Sequence, residues 1–160
     1  MDIHVADGVG RGPTETAAYD AALADAGVGD FNLVTVSSVV PADATVKDVG
    51  TAPNLGPAGD RLTVVQARAS ATPGDAHETD RVTAGLAWAT GPGPGLFYEA
   101  DGTDRDAVRD AALEGLAAGR DLREWTFEAE GTRLATPETD EDAHTAAVVV
   151  AAYGDSRPIA

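Results

Sequence analysis

Two adjacent serines, Ser37 and Ser38, close the run Asn32-Leu33-Val34-Thr35-Val36-Ser37-Ser38-Val39-Val40-Pro41. The Ser38 hydroxyl follows the Ser37 carbonyl directly in the chain. Such a pair can attack its own backbone when the local geometry is held and the carbonyl is polarised. Serine pairs are also common, and an inert pair is the plain alternative. Glu99 is a second candidate. It ends the apolar segment Gly95-Leu96-Phe97-Tyr98-Glu99 beside a Gly/Pro loop. Partial burial there would raise its pKa and make it a general acid near neutrality. The alternative is an exposed strand-end carboxylate. Asp20 is a third. It sits within the first helix, on or near the apolar face and outside the first turn, where Asp is favoured. In that place it wants a cationic partner; a half-exposed helix Asp is the simpler reading.

Other patterns carry less chemistry. Gly8-Val9-Gly10-Arg11-Gly12 precedes a helix, as a phosphate loop would, but has neither GxGxxG spacing nor a GK[ST] ending. It reads as a flexible connector. His4, His77 and His144 are scattered without HxH or HExxH spacing, so no metal site is expected. The acidic run from Glu138 to Asp142 reads as solvated surface.

The elements that must position these residues follow from periodicity and breakers. Residues 2–7 alternate and predict a short strand. Thr14 caps a helix over Glu15 to Ala26, ended by Gly27, with Ala18, Ala22 and Ala26 as a small-residue seam beside Tyr19 and Leu23. Phe31 to Val40 reads as one strand buried on both faces and stopped by Pro41. Residues 41–60 read mostly as loop. Strands follow at 61–69, 81–89 and 96–99. Asp104 caps a helix to about Gly119, with Val108, Ala111, Ala112 and Leu116 on one face. Two last strands span 125–134 and 145–153. The order predicts an α+β fold with a mostly antiparallel sheet and helices packed outside it, in a single domain over residues 1–160.

Composition sets the setting. The chain has 160 residues, 43% of them hydrophobic, which suffices for a core. It has no cysteine, so disulfides and thiolate chemistry are excluded. No apolar run is long enough to span a membrane, and the first residues do not resemble a signal peptide, so a cytoplasmic protein is expected. The net charge is −16, from 27 acidic and 11 basic residues, and Lys47 is the sole lysine. Such a surface suits solubility at very high salt; an acidic protein from a GC-rich genome is the alternative. Either way, it disfavours nucleic acid as a partner.

The segment from Ala18 to Pro41 closely resembles pyruvoyl-dependent arginine decarboxylases of archaeal type. In that family an aspartate-bearing helix, an AGIGN-like turn and an NL-x-x-[IV]-SS-[IV]-x-P strand follow in this order. Gly95 to Glu99 matches the family's GL-x-x-E block, and Trp125 to Tyr153 follows its GWEL…AAA-x-x-Y ending more loosely.

The resemblance implies an αββα sandwich and a homotrimer with active sites between subunits. It implies a proenzyme that cuts itself between Ser37 and Ser38 into residues 1–37 and 38–160. Ser38 then becomes a covalent pyruvoyl group, so no pyridoxal phosphate is needed. That group would decarboxylate L-arginine to agmatine, a polyamine precursor, through a Schiff base. Glu99 would be the proton donor. Asn32, which shares strand parity with Ser38, would assist processing and binding. Asp20 would hold the substrate guanidinium, and Ser37 would also contact substrate. Two other readings stand: a decarboxylase of another basic amino acid, and an unprocessed homologue that serves as a structural or regulatory subunit.

Overall fold

The computed structural model describes residues 1–77 and 79–160; the side chains of Ala76 and His77 lie outside that description. His77, one of the histidines weighed as a metal ligand, therefore falls outside the described side chains.

The packing of the first helix on the first strand organises half of the molecule. Strand β1 spans Asp2–Gly12 and helix α1 spans Glu15–Ala26. The Thr14 hydroxyl accepts from the Ala17 N–H at 3.0 Å, satisfying one of the free donors of the first turn. Gly27 closes the helix at φ 89°, a left-handed conformation that glycine adopts without strain. Ala18, Ala22, Leu23 and Ala26 are buried, as the seam predicts. The glycine run is not a connector. Gly8, Gly10 and Gly12 lie in β1, paired with Val148, Ala146 and His144 of the last strand. A Cβ on Gly10 would stand 2.3 Å from both the Ala18 carbonyl oxygen and the Ala22 nitrogen. The glycines are there because the helix backbone lies directly on the strand.

The remaining elements are β2 (Asn32–Thr35), β3 (Val39–Val40), β4 (Thr45–Gly50), β5 (Arg61–Ala71), a 3₁₀ turn at Pro73–His77, β6 (Thr83–Thr90), β7 (Gly95–Gly102), α2 (Arg105–Asp121), β8 (Ala129–Ala135) and β9 (His144–Tyr153). One sheet has the order β2-β5-β9-β1-β4, the other β3-β7-β6-β8. Among the described residues, only the β1–β4 and β2–β5 pairs are parallel. The α+β, mostly antiparallel expectation therefore holds.

The apolar clusters define four layers. One packs Ile3, Val5, Val65 and Val149 of the first sheet against Leu86, Trp88 and Phe97 of the second. A second lies between α1 and the outer face of the first sheet, and a third between α2 and the outer face of the second. The order is helix, sheet, sheet, helix. The Asp104 carboxylate caps α2 at the Ala107 N–H, 2.9 Å away. Val108, Ala112 and Leu116 are buried, whereas Ala111 is exposed. No helix among the described residues is long and apolar enough to cross a membrane.

Three strand expectations change: the strand expected over 125–134 begins only at Ala129, and two others differ more. Residues 41–60 contain β4, a half-exposed strand parallel to β1, whose alternation is interrupted by flanking Gly and Pro. The expected strand from Phe31 to Val40, buried on both faces, is instead two short edge strands. β2 pairs with β5 in one sheet and β3 pairs with β7 in the other. Each lies at the end of its sheet, so Val34 and Val39 are each 43% exposed.

Candidate active site at the crossing between the sheets

The chain passes from one sheet to the other at Val36-Ser37-Ser38. Upstream, the Val36 N–H donates to the Val64 carbonyl at 2.9 Å, which fixes it to the first sheet. Downstream, the Ser38 carbonyl accepts from the Phe97 N–H at 2.8 Å, which fixes it to the second. Val39 and Val40 then pair with Leu96 and Gly95. The Ser37–Ser38 peptide thus joins two segments held by different ladders. Ser37 is exposed and Ser38 half-buried.

The serine pair opens on a cavity of about 420 Å³. Ser37, Ser38 and Val39 form one side, and Leu96, Tyr98 and Glu99 of β7 form another, with Arg123 completing it. A larger hollow of about 500 Å³, bordered by Asp2, His4 and Arg157, does not include the serine pair. The chemistry of the side chains, not volume, marks the smaller cavity as the candidate site.

Glu99 stands opposite Leu86 in the β6–β7 ladder, and so projects on the same side as that core residue. β3 ends before it, leaving this stretch of β7 unpaired on that edge. The residue is exposed overall, yet its carboxyl loses enough hydration that its pKa is pushed above the ordinary value. Burial is the cause, because a desolvated carboxylate is disfavoured against the neutral acid.

Three side chains of the cavity escaped the sequence reading. Tyr98 points toward α2, where Gly115 and Gly119 leave room for its ring; a Cβ on Gly119 would be 2.5 Å from that ring. The Gly-x-x-x-Gly spacing on α2 was the available signal. Arg123 donates from Nη1 to the Gly119 carbonyl at 2.7 Å, and its guanidinium lies 5.1 Å over the Trp125 ring. It has no ion-pair partner among the described residues, so it brings a positive charge to the cavity. Leu96 supplies an apolar wall; it was legible only as a strand residue.

Two expected residues lie elsewhere. Asn32 opens β2, and its Nδ2 donates to the Gly59 carbonyl at 2.8 Å. Parity with Ser38 does not place them together, because the strand breaks between them. Asp20 is exposed and not on the apolar face. It stands about 200° around the helix from buried Ala18. Neither residue borders the cavity within one chain. His4 and His144 occupy opposite ends of the β1–β9 ladder, opposite Ala152 and Gly12. Among the described residues no group of three potential ligands could hold a metal ion.

Comparison with known proteins places this arrangement. Residues 2–158 match the family described as pyruvoyl-dependent arginine decarboxylase (PvlArgDC). A protein of that description from Halobacterium salinarum is 56% identical over 160 residues, covering 98% of this chain and 96% of its own. Another, from Methanothermobacter thermautotrophicus, is 32% identical over 115 residues, 71% of each chain. A third, from Methanopyrus kandleri, is 52% identical over a block of 42 residues, 26% of this chain and 28% of its own. The four-layer sandwich is therefore that of a decarboxylase. More particularly, the chain belongs to the family of pyruvoyl-dependent arginine decarboxylases, whose cofactor is a pyruvoyl group.

Proposed function

We propose that the chain cuts itself between Ser37 and Ser38, and that the keto group left at residue 38 decarboxylates L-arginine to agmatine in a cytoplasmic route to polyamines. The observation that carries this reading is the placement of the Ser37–Ser38 peptide between two fixed segments, with Glu99 in the same cavity. Each flank is held, so attack does not require the whole segment to reorganise. The Ser38 hydroxyl adds to the Ser37 carbonyl carbon, and the peptide C–N bond breaks to give an ester and a free amine. Loss of the Ser38 α-proton then breaks the Cβ–O bond. This releases Ser37 as a carboxylate and leaves dehydroalanine, which water converts to the keto group and ammonia.

The site fits that group: residue 38 is tethered through its carbonyl and borders a cavity, so a keto group there would face incoming substrate. When formed, it supplies an electron sink for the carbanion that remains as carbon dioxide departs. Glu99 returns a proton to the former α-carbon; its raised pKa keeps it protonated further toward neutrality. Arg123 offers a guanidinium to the carboxylate that cleavage leaves on Ser37. Such a pair would hold that carboxylate at the cavity wall, where Ser37 contacts substrate.

Asp20 and Asn32 do not reach this cavity in one chain, so the reading assigns them to a site completed by neighbouring copies in a homotrimer. Exposed Val34, Val36 and Val39 beside the serine pair are the apolar surface such an assembly would cover. Asp20 then binds the substrate guanidinium across the subunit boundary. Asp20→Ala should raise KM for arginine while cleavage proceeds; unchanged arginine kinetics would remove that assignment. Turnover of lysine and ornithine in the same assay tests for another basic amino acid.

Intact mass under denaturing conditions tests the whole reading. Cleavage gives fragments of about 3.7 and 12.5 kDa from the 16.2 kDa chain, the larger about 17 Da below a plain hydrolytic fragment. A single 16.2 kDa species in both high and low salt would sink it and favour a non-catalytic homologue.

A further inference from the structure

The segment that follows the serine pair is held by little backbone. β3 has two residues, Val39 and Val40, and only β7 lies beside it. In an antiparallel ladder successive carbonyls point to opposite sides. The Ser38 carbonyl points to β7 and accepts from Phe97. The Val39 carbonyl points away, to the free edge, where no strand can serve it.

It is served from the other sheet. Tyr153 is the last residue of β9 and stands opposite Ile3, a residue of the inter-sheet core. Its ring crosses the core and packs on Phe97, with centroids 6.1 Å apart. Its hydroxyl donates to the Val39 carbonyl at 2.9 Å. Tyr153 thus supports both carbonyls downstream of the scissile bond. It holds one directly and packs on the residue whose N–H holds the other. A structural filler would need the ring but not this hydroxyl contact.

Resting on the self-cleavage reading above, we infer that Tyr153 is a positioning residue for residue 38. Its hydroxyl ties β3 across the sandwich and keeps the Ser38 side chain, and later the keto group, at a fixed depth in the cavity. Burial pushes the phenol up to about 12, so the donor keeps its proton across the working pH range. The tie carries no charge and does not depend on ionic strength, which suits a strongly acidic chain.

Tyr153→Phe retains the ring and removes the tie. The test follows cleavage of freshly folded full-length chain by intact mass, alongside its thermal midpoint. Matured protein is then assayed with arginine, with rates expressed per keto group. The variant is expected to cleave about tenfold more slowly, the size of one lost hydrogen bond to a reacting segment. Its midpoint should stay within about 2 °C of the parent. On arginine, kcat should fall while KM holds, because Tyr153 places the reacting group without touching substrate. Equal cleavage rates in variant and parent would overturn the inference while leaving self-cleavage intact. A cleavage rate that falls only in step with the midpoint, and returns when salt restores it, would also overturn it, by making Tyr153 a support of the fold. If the parent itself remains one uncleaved species, the self-cleavage reading fails and the inference fails with it.

Discussion

The two rims of the sandwich are built on opposite plans. At one rim β4 and β1 of the first sheet face β8 of the second, and Arg133 closes the gap. Its Nη1 donates to Asp7 at 2.6 Å and its Nε to Asp48, which joins three strands from two sheets. Burial alone would lower the Arg133 pKa, but both carboxylates together hold it above its ordinary value. At the other rim the edge strands β2 and β3 lie in different sheets and are joined by the backbone through Ser37 and Ser38. There the valines are exposed and the Glu99 carboxyl is held partly dry with no ion pair among the described residues, although Arg123 borders the same cavity. One rim is locked by charge and the other is left open beside the serine pair. On the proposed function, stability and chemistry are segregated to opposite sides of a shared core.

Substitutions that separate cleavage, turnover and stability test this contrast. Ser38→Ala removes the hydroxyl that the proposed cleavage requires. We expect no fragments by intact mass and a loss of arginine decarboxylation of about 10³-fold or more, with the thermal midpoint almost unmoved. Glu99→Gln should lower kcat by about 10²–10³-fold while fragments still form. Equal loss of cleavage and turnover would end the proton-donor role and blur the division of labour within the open rim.

The pH dependence follows from the direction of the Glu99 shift. Burial raises its folded pKa, so the folded state keeps this proton where the unfolded state has lost it. Activity should fall as pH rises through that raised value, and this limb should be absent in Glu99→Gln. The same shift makes the ionised carboxyl a liability to the fold. Its contribution is most favourable below the unfolded pKa and is lost as pH climbs through the folded one. Urea titrations of the parent and Glu99→Gln at several pH values should therefore show the variant gaining on the parent toward higher pH.

The locked side should respond in the reverse sense. Gly10→Ala forces a methyl into the α1 backbone and should cost about 1–3 kcal/mol in urea unfolding, without altering which bond is cut. Arg133→Met leaves two carboxylates without their shared cation. Because all three groups are partly solvated, the expected loss is only about 1 kcal/mol. A larger effect of Arg133→Met on cleavage than on stability would break the separation of the two rims.

The parts of the fold legible in the sequence were those with local punctuation. Thr14, Gly27 and Asp104 marked helix ends by side-chain and backbone preferences that act within a few residues. The glycines of β1 misled for the opposite reason. Their purpose is the approach of α1, a tertiary contact that the run itself does not encode. The break at residues 36–38 was equally silent. Val36-Ser37-Ser38-Val39 contains no breaker, and the strand divides because its two halves find partners in different sheets. Ser37, Ser38 and Glu99 were legible as individual chemistry, and the β3–β7 pairing brings them to one cavity. Tyr98 and Arg123 were not, since both are placed by the end of α2. The exposure of Asp20 could have been read directly. It lies midway between Ala18 and Ala22 in sequence, and so opposite the seam they form.

The position of β1 has a consequence for how the molecule can be made. This strand lies between β9 and β4, inside the first sheet, and with α1 it belongs to the first 37 residues. A nick after Ser37 would therefore release no peripheral tail; it would leave an interior strand seated by ladders on both sides. Two separately synthesised pieces would face a different task, because the larger would begin with a vacant slot in its sheet and the smaller with no sheet at all. On the proposed cleavage, the covalent bond would serve as a tether during assembly and would be dispensable afterwards. A nicked molecule, once unfolded and diluted, should regain its shape far more slowly than an uncut one, so that a cleaved protein would keep its form partly because of how it was born.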